Sequence, residues 1–289
     1  MFLSAALLSS FLLGGCDTGT PSPGVERPAA DAEISVKIIT ANLMYMISPE
    51  DSYIRYKGQD GSDYTMDKRL NRLCALVSLY DPDVLMLQEV NGRGGWWDRL
   101  ITGENALLKR FQKYDYVGTV NHVGGKDGNG NESVLYNQIY YNQNKYELLE
   151  GGTLFCRENN KPETEYDGDY EGVYSIHNTA TCTYAVLRDK ETNLSAVFAT
   201  THLCVRSDLS RCFRNYSQAV CATDRLYEIA ETHKWGEEAL PIFLGGDFNG
   251  PEGDVRFFTY EHMTEYAGYS DAQKVPESSD SSATFCASE

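Results

Sequence analysis

A carboxylate and a carboxamide lie two residues apart in a glycine-rich segment near the C-terminal end of the sequence. Asp247 and Asn249 belong to the sequence GGDFNG at residues 245–250, directly after an apolar run at residues 240–244 that predicts a buried strand. Strand side chains alternate between two faces, so both polar groups are expected on the same side of the backbone. Such a pair can handle a water molecule and a phosphoryl oxygen. The alternative is an ordinary turn rich in Asp, Asn and Gly.

Three further predicted strands end in polar residues that are able to do chemistry. Asn42, Glu89 and His202 follow the apolar runs at residues 34–41, 83–88 and 194–201, respectively. An amphipathic helix is predicted at residues 67–80, between the first two of these strands. Functional groups of open α/β sheets gather outside the strand ends. We therefore expect the four polar strand ends to meet.

These strand ends resemble the motifs of the endonuclease/exonuclease/phosphatase superfamily, which has the deoxyribonuclease-I-like fold. The matching segments occur in the family's order and are TANL at 40–43, LQEV at 87–90, TTHL at 200–203 and GGDFN at 245–249. Each motif is weak alone, but four in order at predicted strand ends form a specific signal. The resemblance extends from about residue 34 to the end of the sequence.

The remaining predicted elements agree with the fold that the resemblance implies. Helices are predicted at residues 96–111 and 215–232, and strands at residues 114–120, 133–141, 146–155 and 178–187. Helix follows strand near the start of the chain, and long hairpins fill its middle. This order fits an α/β (α+β) protein with two mixed sheets flanked by helices, the four-layer α/β/β/α sandwich of the family.

The resemblance implies a role in phosphate ester hydrolysis for each polar strand end. Glu89 is the expected principal ligand of Mg²⁺, or of Mn²⁺ or Ca²⁺, with Asn42 assisting the metal or contacting phosphate. Asp247 is expected to orient and deprotonate the attacking water, and Asn249 to hydrogen-bond the phosphoryl oxygen. His202 is expected to contact phosphate and to serve as a general acid. The alternatives are an exposed loop carboxylate for Glu89 and a hydrogen-bonded strand-end histidine for His202.

Three arginines and one asparagine are weaker candidates for phosphate binding. Arg206, Arg211 and Arg214 follow His202 in a segment with a single acidic residue. Guanidinium groups match the geometry of phosphate oxygens, but a solvated helix start is the alternative for these arginines. Asn137 occupies a position where relatives often carry a polar active-site residue, and a strand-edge asparagine is the alternative there.

The N-terminus predicts a bacterial lipoprotein. Residues 1–15 contain an apolar stretch too short to span a membrane comfortably, and LGGC at residues 13–16 resembles the lipobox. Cys16 would be lipidated after cleavage, and residues 16–33 would tether a domain at residues 34–289 to the cell envelope. No Lys or Arg precedes the apolar stretch, and an uncleaved signal anchor is the alternative.

The C-terminal end of the sequence departs from the family's pattern. Members normally add an RIDY-like strand and an SDH motif whose histidine is central to catalysis, whereas this sequence stops at Glu289 without them. We therefore expect a truncated fragment or an inactive relative, in which metal and phosphate binding are more intact than turnover. The competing function is a surface lipoprotein that binds a phosphorylated or other ligand without turnover.

Charge and cysteine content constrain the partners. The net charge is −17 over 289 residues, whereas a protein that grips long nucleic acid presents many Lys and Arg side chains. Small or lipid phosphoesters are therefore favoured, nucleic acid stays open as a substrate, and a monomer is expected. The absence of CxxC spacing argues against a zinc site. Candidate disulfides are Cys204–Cys212 and Cys156–Cys182.

Overall fold

The computed structural model describes residues 3–12, 33–43, 66–91, 98–118, 124–126, 132–133, 135–156, 180–204, 209–250 and 258–272. Its strands are β1 (Leu3–Leu12), β2 (Glu33–Asn42), β3 (Val84–Asn91), β4 (Tyr114–Val117), β5 (Gly124–Lys126), β6 (Glu132–Ser133), β7 (Leu135–Asn142), β8 (Tyr146–Cys156), β9 (Ala180–Asp189), β10 (Ser195–His202) and β11 (Ile242–Asp247). Its helices are α1 (Met66–Tyr80), α2 (Leu107–Arg110), α3 (Leu209–Thr232) and α4 (Thr259–Glu261), with π-helical turns at Asp98–Thr102 and His262–Tyr266.

Two mixed sheets form the centre of the described structure. The first sheet has the strand order β1-β2-β3-β7-β4, and the second has the order β11-β10-β9-β8. Each contains one parallel pair, β2 with β3 in the first sheet and β10 with β11 in the second, and its other pairs are antiparallel. Strands β5 and β6 pair separately.

Three apolar layers hold the sheets and helices together. Leu73 of α1 packs with Leu85 and Leu87 on the outer face of the first sheet. The second layer lies between the two sheets and includes Met86 and Phe198. The third layer joins α3 to the outer face of the second sheet. The predicted four-layer α/β/β/α sandwich is thus confirmed.

Two predicted helices have different limits in the structure. Residues 96–111 were predicted as one helix, but a π-helical turn at Asp98–Thr102 and the short α2 are separated by a bend at Gly103. Glycine has a low helix propensity, which favours this break. Helix α3 begins at Leu209, earlier than the predicted start at residue 215. Arginine is a good helix former, so Arg211 and Arg214 extend the helix instead of forming a preceding loop.

The N-terminal apolar segment forms a strand at one edge of the first sheet. Strand β1 pairs antiparallel with β2, with Leu3 opposite Ala41 and Leu12 opposite Glu33. This pairing satisfies backbone groups that an open sheet edge would leave unpaired. Cleavage before Cys16, lipidation of Cys16 and the tether at residues 16–33 stay predictions. Residues 13–32 lie outside the described structure. None of the described helices is long and apolar enough to cross a membrane.

The candidate disulfides are not formed in the structure. Cys156, Cys182, Cys204 and Cys212 are buried, and none of these four residues is in a disulfide bond. The thiol of Cys156 contacts that of Cys221 on α3, and this contact together with burial raises the pKa of Cys156. Cys182 lies opposite Leu154 in the β8–β9 ladder, one diagonal step away from Cys156. The offset explains why the predicted Cys156–Cys182 pairing is wrong for this structure.

Candidate active site

Four of the predicted polar side chains meet where strands of the two sheets end. The Nδ2 atom of Asn42 lies 3.0 Å from Oε1 of Glu89 and 2.8 Å from Oδ2 of Asp247. The Nε2 atom of His202 lies 3.9 Å from the same Glu89 oxygen and 3.8 Å from the same Asp247 oxygen. One amide therefore joins two carboxylates, with an imidazole beside both.

Parallel pairing within each sheet brings these strand ends together. In the first sheet Asn42 lies opposite Gln88, the residue before Glu89. In the second sheet His202 lies opposite Asp247. Since the carboxyl ends of parallel strands share one edge, each sheet contributes two of the four side chains. Because the two sheets pack face to face, Asn42 and Glu89 of the first sheet contact or lie near Asp247 and His202 of the second.

A β-bulge directs Glu89 towards the site. Leu85 and Leu87 pack under α1, and a regular strand would turn Glu89 towards the same apolar layer. The β3–β7 register instead shifts between Leu87 and Val90, and Val90 takes the next place in the layer under α1. Glu89 adopts a left-handed φ of 57°, which releases its side chain from the strand alternation. The bulge thus places a carboxylate at the site without burying it among leucines.

A buried cation lies behind Glu89. Arg69 of α1 is 3% exposed and donates from Nη1 to the carbonyl oxygen of Leu43, at 2.5 Å. Burial lowers the pKa of the Arg69 guanidinium, and the negative charge of Glu89 acts in the opposite direction. Leu43 directly follows Asn42, so the guanidinium holds the backbone next to the site in place. Its positive charge also partly offsets the negative charge of Glu89.

The second sheet fixes the position of Asp247 through its glycines. A Cβ atom on Gly245 would approach Sδ of Met86 to 2.8 Å, so glycine permits close contact between the sheets. Gly246 has φ +147°, and a Cβ atom there would lie 2.0 Å from the carbonyl oxygen of Thr201. This close approach holds β11 against β10 immediately before Asp247.

Replacing Gly246 with alanine should therefore destabilise the fold strongly. We expect the Gly246→Ala variant to lose at least about 2 kcal/mol more of its free energy of unfolding than Gly236→Ala, by the combined costs of backbone strain and overpacking. Gly236 is a matched control because it also has a positive φ, +64°, but has no atom within 4 Å of the added Cβ. Urea denaturation measures both values, and equal losses would contradict the proposed clash.

Asn249 is held next to Asp247 at the start of the following turn. Its backbone N–H donates to Oδ1 of Asp247 at 3.2 Å, and its Nδ2 atom donates to the carbonyl oxygen of Leu203 at 3.0 Å. The residue has a left-handed φ of 49°, which asparagine tolerates better than most residues. The first bond fixes one Asp247 oxygen, while the other faces Asn42 and His202.

The structure describes the four weaker candidates for phosphate binding to different extents. Asn137 is 5% exposed, and its Nδ2 atom donates to the backbone oxygen and to Oγ1 of Thr181 at 2.8 and 2.9 Å. Its amide bridges the two sheets at Thr181, which lies opposite His202 in the β9–β10 ladder, and the contact of Asn137 with phosphate stays a prediction. Arg206 lies outside the described residues, and only the backbone of Arg211 is described. Arg214 is half-buried in α3, and its contact with phosphate stays a prediction.

The donor set at the site suits a hydrated hard cation. In the described ranges there is no group of three or more His, Cys, Asp and Glu side chains arranged to hold a metal ion. Mg²⁺ commonly takes only one or two protein carboxylates and keeps several waters, so a full cage is not required. The side chains of Glu89 and Asp247 are 18% and 33% exposed, which leaves both open to water. Glu89 and Asn42 are the residues that could hold such an ion.

Sequence comparison assigns the chain to a protein family. The sequence model of the Endonuclease/Exonuclease/phosphatase family matches residues 58–264, a span that includes Glu89, His202 and Asp247. The chain belongs to the endonuclease/exonuclease/phosphatase family. Asn42 lies before the matched span, and the structure brings it into the site. No curated protein matches the chain by sequence.

Solved structures share the fold of this family member at low sequence identity. A mannosyl-6-phosphatase from Bacteroides thetaiotaomicron has a TM-score of 0.54 and 18% identity, over 78% of this chain and 70% of that one. The human nocturnin catalytic domain with bound sulfate has a TM-score of 0.53 and 16% identity, over 80% and 70%. An endonuclease/exonuclease/phosphatase from Bacteroides vulgatus has a TM-score of 0.52 and 22% identity, over 79% and 70%.

Proposed function

We propose that this family member hydrolyses phosphate esters with the help of a bound divalent cation. The observation that carries the proposal is the convergence of Asn42, Glu89, His202 and Asp247 within hydrogen-bonding or near-contact distance of one another. Phosphoester hydrolysis requires a directed water, neutralised charge on the phosphoryl oxygens and a stabilised leaving oxygen. The four side chains offer groups for each of these tasks.

Glu89 and Asn42 are the proposed cation ligands. The carboxylate would supply the charge, and the amide oxygen of Asn42 would supply a second hard oxygen ligand. The Nδ2 atom of Asn42 contacts both acids, which places this side chain beside Glu89. A bound Mg²⁺, Mn²⁺ or Ca²⁺ would supply positive charge opposite the phosphoryl oxygens. The buried guanidinium of Arg69 limits the repulsion between Glu89 and other negative charge at the site.

Asp247 is the proposed base for the attacking water. The backbone N–H of Asn249 holds one carboxylate oxygen, which leaves Oδ2 directed at the centre of the site. A fixed carboxylate oxygen can accept a proton from a water that it also orients. His202 lies beside Oδ2 and is the proposed contact for a phosphoryl oxygen, or the donor of a proton to the leaving oxygen. Asn249 can contact the phosphoryl group through its amide.

The charge of the chain favours small or lipid phosphoesters as substrates. With a net charge of −17, the protein is poorly suited to holding long nucleic acid, whose binding depends on many phosphate contacts. We further propose that Cys16 carries a lipid and that the enzyme acts at the bacterial cell envelope. The lipobox-like sequence at residues 13–16 supports this location.

The proposal is tested by assaying the purified full chain against a panel of phosphoesters with Mg²⁺, with Mn²⁺ and with EDTA. The panel contains a chromogenic monoester and diester, mannose 6-phosphate, sphingomyelin and duplex DNA. Turnover that requires the metal, and that is higher on small or lipid esters than on DNA, supports the proposal. Saturable ligand binding without turnover on any ester would instead identify a binding lipoprotein. Rapid, salt-sensitive cleavage of DNA would overturn the substrate ranking.

A further inference from the structure

A buried glutamine lies directly below the candidate site, between the two sheets. Gln88 is 1% exposed, and its Nε2 atom lies 3.1 Å from Oγ1 of Thr40, 2.7 Å from Oγ1 of Thr200 and 3.0 Å from the carbonyl oxygen of Met86. A primary amide has two N–H groups, so these three acceptors compete for two donors. The shortest contact is the one that crosses to the second sheet.

The two threonines lie on the strands that carry site residues of the two sheets. Thr40 precedes Asn42 by two residues on β2, and Thr200 precedes His202 by two residues on β10. Side chains two residues apart share a face of a strand, so each threonine lies one step below a site residue. Gln88 itself precedes Glu89 on β3. One amide therefore connects three of the four strands that form the site.

The hydrogen bonds of Gln88 are polar and directional, unlike the apolar contacts of the layer below them. The layer directly below Gln88 is apolar, with Val84 and Met86 on the same face of β3 and Phe198 on the same face of β10. A second polar contact between the sheets lies on β7, where Asn137 donates to Thr181 of β9. Apolar contacts are not directional, so they leave the separation and register of the two sheets adjustable. A buried amide must satisfy its hydrogen bonds, and their narrow distance range fixes the positions of its partners.

We propose that Gln88 is a positioning residue that holds Glu89 of the first sheet at a set distance from His202 and Asp247 of the second sheet. This inference rests on the proposed function for its effect on turnover. Catalytic groups have to stay within about 0.5 Å of their productive geometry. The Asn42 amide spans Glu89 and Asp247 only while the two sheets keep their separation. Gln88 supplies that constraint directly below the site, in addition to the contact between Asn137 and Thr181.

Gln138 provides a matched control for the loss of a buried amide. It is 0% exposed on the neighbouring strand β7, where it lies opposite Leu87. Its Nε2 atom donates to the carbonyl oxygen of Gly118, and its Oε1 atom accepts from the hydroxyl of Tyr140, both on the first sheet's side. The Gln138→Met variant thus loses two buried hydrogen bonds on the side of the first sheet, whereas Gln88→Met also loses a bond to the second sheet, the one to Thr200.

Steady-state kinetics of the two variants test the proposal. We expect Gln88→Met to lower kcat by about 10- to 100-fold with KM within about threefold of wild type, since displacement of about 1 Å can cost that much. Gln138→Met should lower the melting temperature to a similar degree and leave kcat within about twofold of wild type, because it lies outside the site. Equal kcat values for the two variants would overturn the proposal.

A second measurement does not depend on turnover. The side-chain amide signals of Asn42 in a two-dimensional NMR spectrum of the full chain report the contacts to Glu89 and Asp247. We expect these signals to move or broaden in Gln88→Met and to stay unchanged in Gln138→Met. Unchanged signals in both variants would overturn the proposal. Moved signals in a chain without phosphoesterase activity would retain the positioning role and refute the proposed function.

The threonine across the interface keeps the test usable if Gln88→Met does not fold. Thr200 is 0% exposed, and valine has the same shape without the hydroxyl. We expect Thr200→Val to reproduce the loss of kcat and the shift of the Asn42 signals, and Thr200→Ser to restore both. Where both single variants fold, their combination should be no slower than the slower of the two. Multiplied losses in kcat, or no rescue by serine, would contradict a shared hydrogen bond.

Discussion

Replacing Asp247 with asparagine should reduce kcat on a small phosphoester by about 10²- to 10⁴-fold, the usual contribution of a positioned general base. The change substitutes an amide for the carboxylate that accepts from Nδ2 of Asn42 at 2.8 Å and from the backbone N–H of Asn249 at 3.2 Å. Asparagine keeps the size of the side chain but cannot take a proton from water. The loss should therefore appear in kcat, with a small change in KM and in melting temperature.

Asp81→Asn is a matched control for this change. Asp81 pairs with Lys113 at 2.6 Å on the surface, and it precedes β3, at the end opposite Glu89. Exposed ion pairs contribute about 0–1 kcal/mol to stability, so this variant should fold and keep the wild-type rate. A wild-type kcat for Asp247→Asn, or an equal loss in both variants, would refute the role of Asp247 as the base.

Replacing Glu89 with glutamine should weaken the response to the metal. We expect the Mg²⁺ concentration for half-maximal activity to rise by at least about 10-fold, because a neutral amide is a poor ligand for a hard cation. Glutamine has the same length and keeps an oxygen that can accept from Nδ2 of Asn42. Both residues need the same left-handed φ of 57° at this position, so backbone strain does not distinguish them. A metal titration of initial rates provides the measurement.

Glu147→Gln controls for the loss of a carboxylate at a distance from the site. Glu147 lies near the start of β8 and accepts from Arg188 across the β8–β9 ladder. Its removal should leave the half-activating Mg²⁺ concentration unchanged. If Glu89→Gln has the same metal dependence as wild type while Glu147→Gln alters it, Glu89 is not the principal ligand.

The sequence predicted the positions of the site residues because strand ends carry a local signal. Apolar runs that terminate in Asn42, Glu89, His202 and Asp247 are visible without any tertiary information, and parallel pairing then brings them together. The face of α1 with Leu70, Leu73 and Val77 was also predictable, since it follows the helical period. These features depend on residue type and spacing alone.

Features that depend on contacts between distant segments were not predicted. The bulge that frees Glu89 shows only in the β3–β7 register, and the burial of Arg69 depends on the end of β2. Gln88 did carry a signal, because an amide occupies a position of β3 where Val84 and Met86 face the second sheet. Its partner Thr200 lies 112 residues away in the sequence, so only the fold identifies that contact.

Propensity alone also misplaced several element limits. Residues 114–120 were predicted as a strand, but β4 ends at Val117 because Gly118 adopts φ +115° against the backbone of Asn137. Tertiary packing thus decides between conformations that the local sequence of β4 allows. The assignment of the N-terminal apolar run to a signal peptide stays a prediction, and the structure pairs that run with β2.

Anomalous diffraction from crystals of the full chain soaked with Mn²⁺ tests the central claim most directly. The claim is that strand ends from both sheets form one cation-assisted phosphoester site. We predict a strong anomalous peak at direct-bonding distance, about 2.0–2.3 Å, from a carboxylate oxygen of Glu89, with Asn42 and Asp247 next to the ion. A crystal saturated with Mn²⁺ that shows its peaks only at other acidic residues would contradict the claim.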